Sequence, residues 1–103
     1  MRYRIQIVYC PKCRWMLRSA WYAQELLETF GERIEEVALA PDHESPGQFV
    51  VRVGGTVVWD RSADGGFPEA KVLKQRVRDL VEPDRDLGHS ERGGKGPGAQ
   101  GPD

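Results

Sequence analysis

The chain has 103 residues, 39% hydrophobic and 30% charged, which fits one small domain with one core and leaves no room for two. Lysine and arginine number 15 against 16 aspartates and glutamates, a formal net charge of −1, whereas a dedicated nucleic-acid or membrane-surface binder would carry a basic face and a high pI. No apolar run approaches the ~20 residues that span a bilayer. No small-residue cleavage site follows Met1–Arg4, so the expectation is a cytoplasmic protein.

Residues 3–9, Tyr-Arg-Ile-Gln-Ile-Val-Tyr, alternate and are rich in β-branched and aromatic side chains, the pattern of a strand. A helix follows. Met16, Ala20, Ala23, Leu27 and Phe30 recur on a helical period, with Leu17, Trp21 and Leu26 widening the stripe and Gly31 placed as a C-cap. Glu36–Ala40 reads as a second strand stopped by Pro41, and Pro41–Gly47 as a loop. Two further strands, Gln48–Val53 and Thr56–Asp60, flank Gly54-Gly55, a two-residue hairpin signal because both glycines accept a positive φ. Asp64-Gly65-Gly66 marks another turn.

The last helix is expected to begin near Pro68, as a first-turn proline, with Ala70, Leu73, Val77 and Leu80 inward and Lys71, Lys74 and Arg78 toward solvent. Pro83 ends it. The order β-α-β-β-β-α predicts an α+β two-layer sandwich, in which a right-handed crossover makes the first strand pair parallel and the hairpin adds antiparallel strands. The expected result is a mixed four-stranded sheet with both helices on one face. From Gly88 to Asp103 the only aliphatic side chain is Ala99, so 88–103 is read as a flexible glycine-rich tail and 1–87 as the folded domain.

The two cysteines form Cys10-Pro11-Lys12-Cys13, at the junction of the first strand and the first helix. A helix N-terminus stabilises a thiolate, and Lys12, Arg14 and Arg18 add positive charge, so a thiol pKa below about 8.5 is expected here. Two thiols this close can close a small disulfide, one resolving what the other attacks. Three blander readings compete. A structural staple gains little from so short a loop. A zinc site wants four ligands, and the remaining candidates are only His43 in a loop and His89 in the tail. An inert buried pair fits poorly with a strand-to-helix placement.

Asp60, Asp64 and Glu69 lie around a turn and a helix start, where carboxylates cap and solvate. Trp15, Trp21 and Trp59 read as packing, and Lys71, Lys74, Arg76 and Arg78 as a solvated basic face. No organic-cofactor or metal motif is present in the pattern.

Ile7-Val8-Tyr9-Cys10-Pro11-Lys12-Cys13, the hairpin Val50–Gly55 and Asp64-Gly65-Gly66-Phe67-Pro68 together resemble the selenoprotein W family, which includes the selenoprotein T and H relatives. The likeness covers about residues 3–82 and is strongest to the bacterial branch with two ordinary cysteines. It implies a thioredoxin-like fold and a thiol redox role for Cys10 and Cys13. Charge alone leaves open which cysteine attacks. The resemblance points to Cys13, since selenocysteine stands at that position in the family, whereas thioredoxins attack with the first cysteine of the pair. Thioredoxins also carry a cis-proline facing the site, a role not assigned to Pro46 here.

The leading expectation is a small thiol oxidoreductase that cycles Cys10 and Cys13 between dithiol and disulfide without a bound cofactor. Its implied partners are glutathione or a thioredoxin-type reductant and a protein thiol. The rival is an interaction module whose CxxC loop, with Lys12, Arg14 and Trp15 beside it, holds one partner protein without turnover. A metal-trafficking domain is the third reading, but its β-α-β-β-α-β order does not match.

Overall fold

The structure, a computed structural model, describes residues 1–88. The tail expected over 88–103 therefore lies, apart from Gly88, outside the described residues. Strand β1 spans Tyr3–Tyr9, α1 Met16–Phe30, β2 Ile34–Pro41, β3 Phe49–Val53, β4 Thr56–Asp60, α2 Arg61–Asp64 and α3 Ala70–Val81. The sheet order is β2-β1-β3-β4, with β1 parallel to β2 and antiparallel to β3, and β3 antiparallel to β4. The mixed four-stranded sheet of the expected order is thus present, with one short helix, α2, added.

Alternation along β1 sets the two faces of the sheet. Ile5, Ile7 and Tyr9 are buried, while Arg4 and Gln6 are exposed. Both helices cover the inward face: α1 lies over β2 and β1, α3 over β4, and the two helices touch. One core results, joining Ile5, Ile7, Phe49 and Val51 of the sheet to Tyr22, Leu26 and Phe30 of α1 and to Leu73, Val77 and Val81 of α3.

The face that α1 buries is rotated from the expected stripe. Ser19, Tyr22, Ala23, Leu26 and Phe30 point inward, while Met16, Leu17 and Leu27 are exposed. Both sets keep a helical period, and the one carrying the bulky Tyr22 ring takes the core. Ser19 is tolerated there because its hydroxyl donates to the Trp15 carbonyl, 2.8 Å away. Gly31 does not cap the helix in a left-handed conformation; its φ is −50° and it opens a single 3-10 turn, Gly31–Arg33.

On α3 the correction is chemical. Lys74, expected toward solvent, is buried, and its Nζ meets Glu25 Oε1 of α1 at 2.8 Å. Leu80 is partly exposed and Val81 takes the inward place. Pro68 precedes the helix, whose N-cap is Glu69. The hairpin turns on Gly54, with φ of +60°, and Gly55 is not in the left-handed region.

Two arginines close the far ends of the helices. Arg33 Nη2 donates to the Val81 carbonyl of α3 at 2.9 Å, and Arg85 Nη1 donates to the Thr29 carbonyl of α1 at 2.7 Å. Each satisfies an orphan C-terminal carbonyl. This ties the segment after α3 down and brings Leu87 into the core.

Candidate functional site

Strand β1 ends at Tyr9 in a sheet position fixed on both sides, by Pro41 of β2 and Phe49 of β3. Cys10 therefore leaves the sheet from a rigid point. The Asp42 N–H donates to the Tyr9 carbonyl at 2.8 Å, and the Asp42 carboxylate accepts from the N–H groups of Glu44 and Ser45 and from Gln48 Nε2. The Pro41–Gly47 stretch is thus an Asx-closed loop bracing the start of the motif. His43 in that loop is exposed.

Pro11–Arg14 make a turn closed by the Arg14 N–H on the Pro11 carbonyl at 3.0 Å. Cys10 and Cys13 are joined in a disulfide, with Cα atoms 5.3 Å apart. The two cysteines are not equivalent. Cys10 is 2% exposed, whereas Cys13 is partly exposed to solvent. The backbone N–H of Cys13 points at Cys10 Sγ, 3.3 Å away.

Cys13 lies ahead of the helix, not in its first turn. Arg14 has φ of +66°, a left-handed residue that interrupts the chain, and the helix begins only at Met16 with Trp15 as N-cap. This left-handed residue follows the disulfide loop and redirects the chain before it winds into α1. The helix end still faces this turn, with no acidic residue in its first turn and no side-chain cap. Lys12 and Arg14 are exposed.

An aromatic wall stands beside the turn. Trp15 and Phe67 meet edge to face at 4.8 Å, Phe67 and Phe49 at 5.0 Å, and Tyr22 and Phe49 at 5.6 Å. Phe67 is held by its neighbours in the chain: Trp59 Nε1 donates to the Gly66 carbonyl at 2.9 Å, and the Tyr22 hydroxyl donates to the Pro68 carbonyl at 2.7 Å. Burial pushes the Tyr22 phenol above its ordinary pKa, with Arg18 opposing, so it remains a donor. Arg18 lies over the Phe67 ring at 4.3 Å, and Arg61 over Trp15 at 4.9 Å and Phe67 at 5.5 Å.

The carboxylates around α2 cap and brace it. Asp60 accepts from the Ser62 N–H at 3.0 Å, and Asp64 accepts from the Asp60 N–H at 3.0 Å. Asp64 also pairs with Arg76 at 3.1 Å, and Arg76 donates to the Val58 carbonyl. The backbone donor, helped by Arg76, holds the Asp64 carboxyl below its usual range. Among the described residues no three His, Cys, Asp or Glu side chains gather as a metal-holding group. Nor does any described helix have the length and apolar character to cross a membrane.

Sequence reasoning found the cysteine pair and missed the Arg61–Phe67 half of the site. Arg61 belongs to α2, four residues with no periodic signal. Phe67 was visible only as part of a glycine-bounded turn.

Comparisons with known proteins agree with this geometry. Residues 4–79 match the Rdx family. A crystal structure of a selenoprotein W-related protein from Vibrio cholerae is 57% identical, covering 80% of this chain and 100% of its own, with a TM-score of 0.76. A crystal structure of a protein from Bordetella parapertussis is 58% identical, covering 77% of this chain and 98% of its own, with a TM-score of 0.72. No curated protein is significantly similar to the chain. With a family match over most of its length and near-complete coverage of homologous structures, the chain belongs to the Rdx family of selenoprotein W-related proteins.

Proposed function

We propose that the protein is a small, cytoplasmic thiol-disulfide oxidoreductase in which Cys13 exchanges with outside thiols and Cys10 resolves. A single observation carries this reading: the buried sulfur, Cys10 Sγ, is the one that receives the Cys13 N–H, while Cys13 is the one solvent reaches. Thiol-disulfide exchange needs access to the attacked sulfur and a stabilised leaving thiolate. An incoming thiolate would attack Cys13 Sγ, forming a mixed disulfide and breaking the Cys10–Cys13 bond. The electron pair leaves on Cys10 Sγ, where the N–H favours the anion before a proton arrives from solvent.

A second thiol then attacks the incoming partner's sulfur and releases Cys13 as thiolate. Two partner thiols thereby become one disulfide, and the protein disulfide becomes a dithiol. In the opposite direction Cys13 attacks and Cys10 resolves. Glutathione or a thioredoxin-type system would supply or take the electrons, with no bound cofactor.

The test is equilibration across a series of dithiothreitol redox buffers, followed by alkylation and mass measurement. Both thiols are expected to become alkylated together at one reversible midpoint. Free thiols under every condition, or a bond that never opens, would defeat the reading.

A further inference from the structure

Six of the ten arginines among residues 1–88 are tied to an acceptor: Arg2 and Arg33 to backbone carbonyls, Arg4 to Glu36, Arg76 to Asp64, Arg78 to Asp79, and Arg85 to Glu82. Arg18 and Arg61 are held differently. Neither pairs with a carboxylate among the described residues; Arg18 lies over the Phe67 ring and against the Tyr22 hydroxyl, and Arg61 stacks on Trp15 and Phe67. Arg61 Nε is buried with no hydrogen-bond partner. The acids on either side of it are committed elsewhere, Asp60 to the Ser62 N–H and Asp64 to Arg76 and the Asp60 N–H.

A guanidinium pre-oriented on a ring, and left without its natural bidentate partner, is suited to take a carboxylate from another molecule. Its side chain is already ordered, so little entropy is lost on binding.

The position of this pair matters. Arg61 stacks on Trp15, two residues after Cys13, and Phe67 packs on Phe49, the sheet partner of Tyr9. The exposed Lys12 and Arg14 flank Cys13 in the chain. Among charges on the bracing loop, Glu44 and His43 are exposed and Asp42 is satisfied internally. The residues beside Cys13 in the chain and on the adjoining Trp15–Phe67 wall are thus mostly cationic and aromatic, on a chain whose net charge is −1.

We infer that the Trp15, Arg18, Arg61 and Phe67 face is a docking surface for an acidic protein segment that places carboxylates next to its own reactive cysteine. This rests on the exchange reading above. It adds the partner's chemistry: Arg18 and Arg61 take the carboxylates, the rings of Trp15 and Phe67 take an apolar neighbour, and the partner's thiolate is delivered to Cys13 Sγ. The bond changes are those of the exchange already described. Rim charges act mainly on the association step and in a salt-dependent way.

The experiment measures rates of reduction of the oxidised protein by three synthetic peptides, identical except for two residues after one cysteine: Glu-Glu, Gln-Gln or Lys-Lys. Each rate is compared between the natural chain and the Arg18→Gln, Arg61→Gln double variant, so each peptide's intrinsic thiol reactivity cancels. Arg4→Gln, which removes a charge at the opposite end of β1, controls for net charge, and dithiothreitol serves as an uncharged reductant.

The natural chain is expected to react with the Glu-Glu peptide roughly tenfold faster than the double variant at low ionic strength, with the gap closing in high salt. Little change is expected with the Gln-Gln peptide, with dithiothreitol, or in Arg4→Gln. An equal effect of the double variant on all three peptides, or none on the Glu-Glu peptide, would overturn the inference while leaving the exchange reading standing. Failure of dithiothreitol itself to reduce the natural chain would overturn both.

Discussion

The Cys13 backbone N–H lies 3.3 Å from Cys10 Sγ, so the sulfur hidden from solvent is also the one provided with a donor for negative charge. The two cysteines therefore differ in access, which favours Cys13 as the exchanging one. Its advantage is access rather than a place inside the helix, since α1 begins three residues later.

The buried ion pair between Lys74 and Glu25 links the two helices. Glu25→Ala leaves an ammonium buried and unpaired, and is expected to destabilise by about 3 kcal/mol. Lys74→Met, which keeps the length of the side chain and removes the charge, is expected to recover most of that loss in the Glu25→Ala background. Urea unfolding of the two single variants and the double variant checks this; a Lys74→Met change that adds to the Glu25→Ala loss would contradict it.

Tyr22→Phe removes the donor to the Pro68 carbonyl, and with it the tether on the Phe67 segment. The expected loss is about 1–2 kcal/mol. Because the folded-state phenol pKa is raised, its contribution is complete below the unfolded value of 10.0 and is lost as pH rises above it. Thermal unfolding across alkaline pH is therefore expected to be steeper in the natural chain than in the Phe variant. Parallel profiles would contradict this.

Asp64 works in the opposite pH range. Its folded-state pKa is lowered by the Asp60 N–H and by Arg76, so its contribution is present above the unfolded value of 3.8 and is lost as pH falls through the folded one. Asp64→Asn is expected to lower stability at neutral pH and to flatten the acid limb below pH 3.8. An unchanged acid limb in an acid titration followed by circular dichroism would count against this account.

Arg14 carries a positive φ without being glycine. Arg14→Val is expected to destabilise by about 1–2 kcal/mol, since a β-branched side chain fits that region badly, while Arg14→Gly is tolerated with little change. Equal stabilities of the two variants in thermal unfolding would show that the turn is not held in this conformation.

The strands, the hairpin and the cysteine pair were legible because each depends on a local pattern: alternation in Tyr3–Tyr9, the Gly54-Gly55 pair, the two-residue spacing of Cys10 and Cys13. Which face α1 buries was not, because two offset helical stripes compete in residues 16–30 and only packing against the sheet chooses between them. Lys74 was misread for the same reason: a lysine on a polar-looking face becomes internal only because Glu25 of another helix meets it. Arg61 and Phe67 reach the site through tertiary contacts with Trp15, which leave no spacing in the chain to be read.

The central claim is that Cys13 is the exchanging sulfur and Cys10 the resolving one. The most direct measurement is the rate at which each single-cysteine variant, Cys10→Ser and Cys13→Ser, forms a mixed disulfide with glutathione disulfide, followed by mass. Cys10→Ser, which retains the accessible Cys13, is expected to react at least about tenfold faster than Cys13→Ser. Faster capture through Cys10 would assign the attack to the first cysteine and contradict the account.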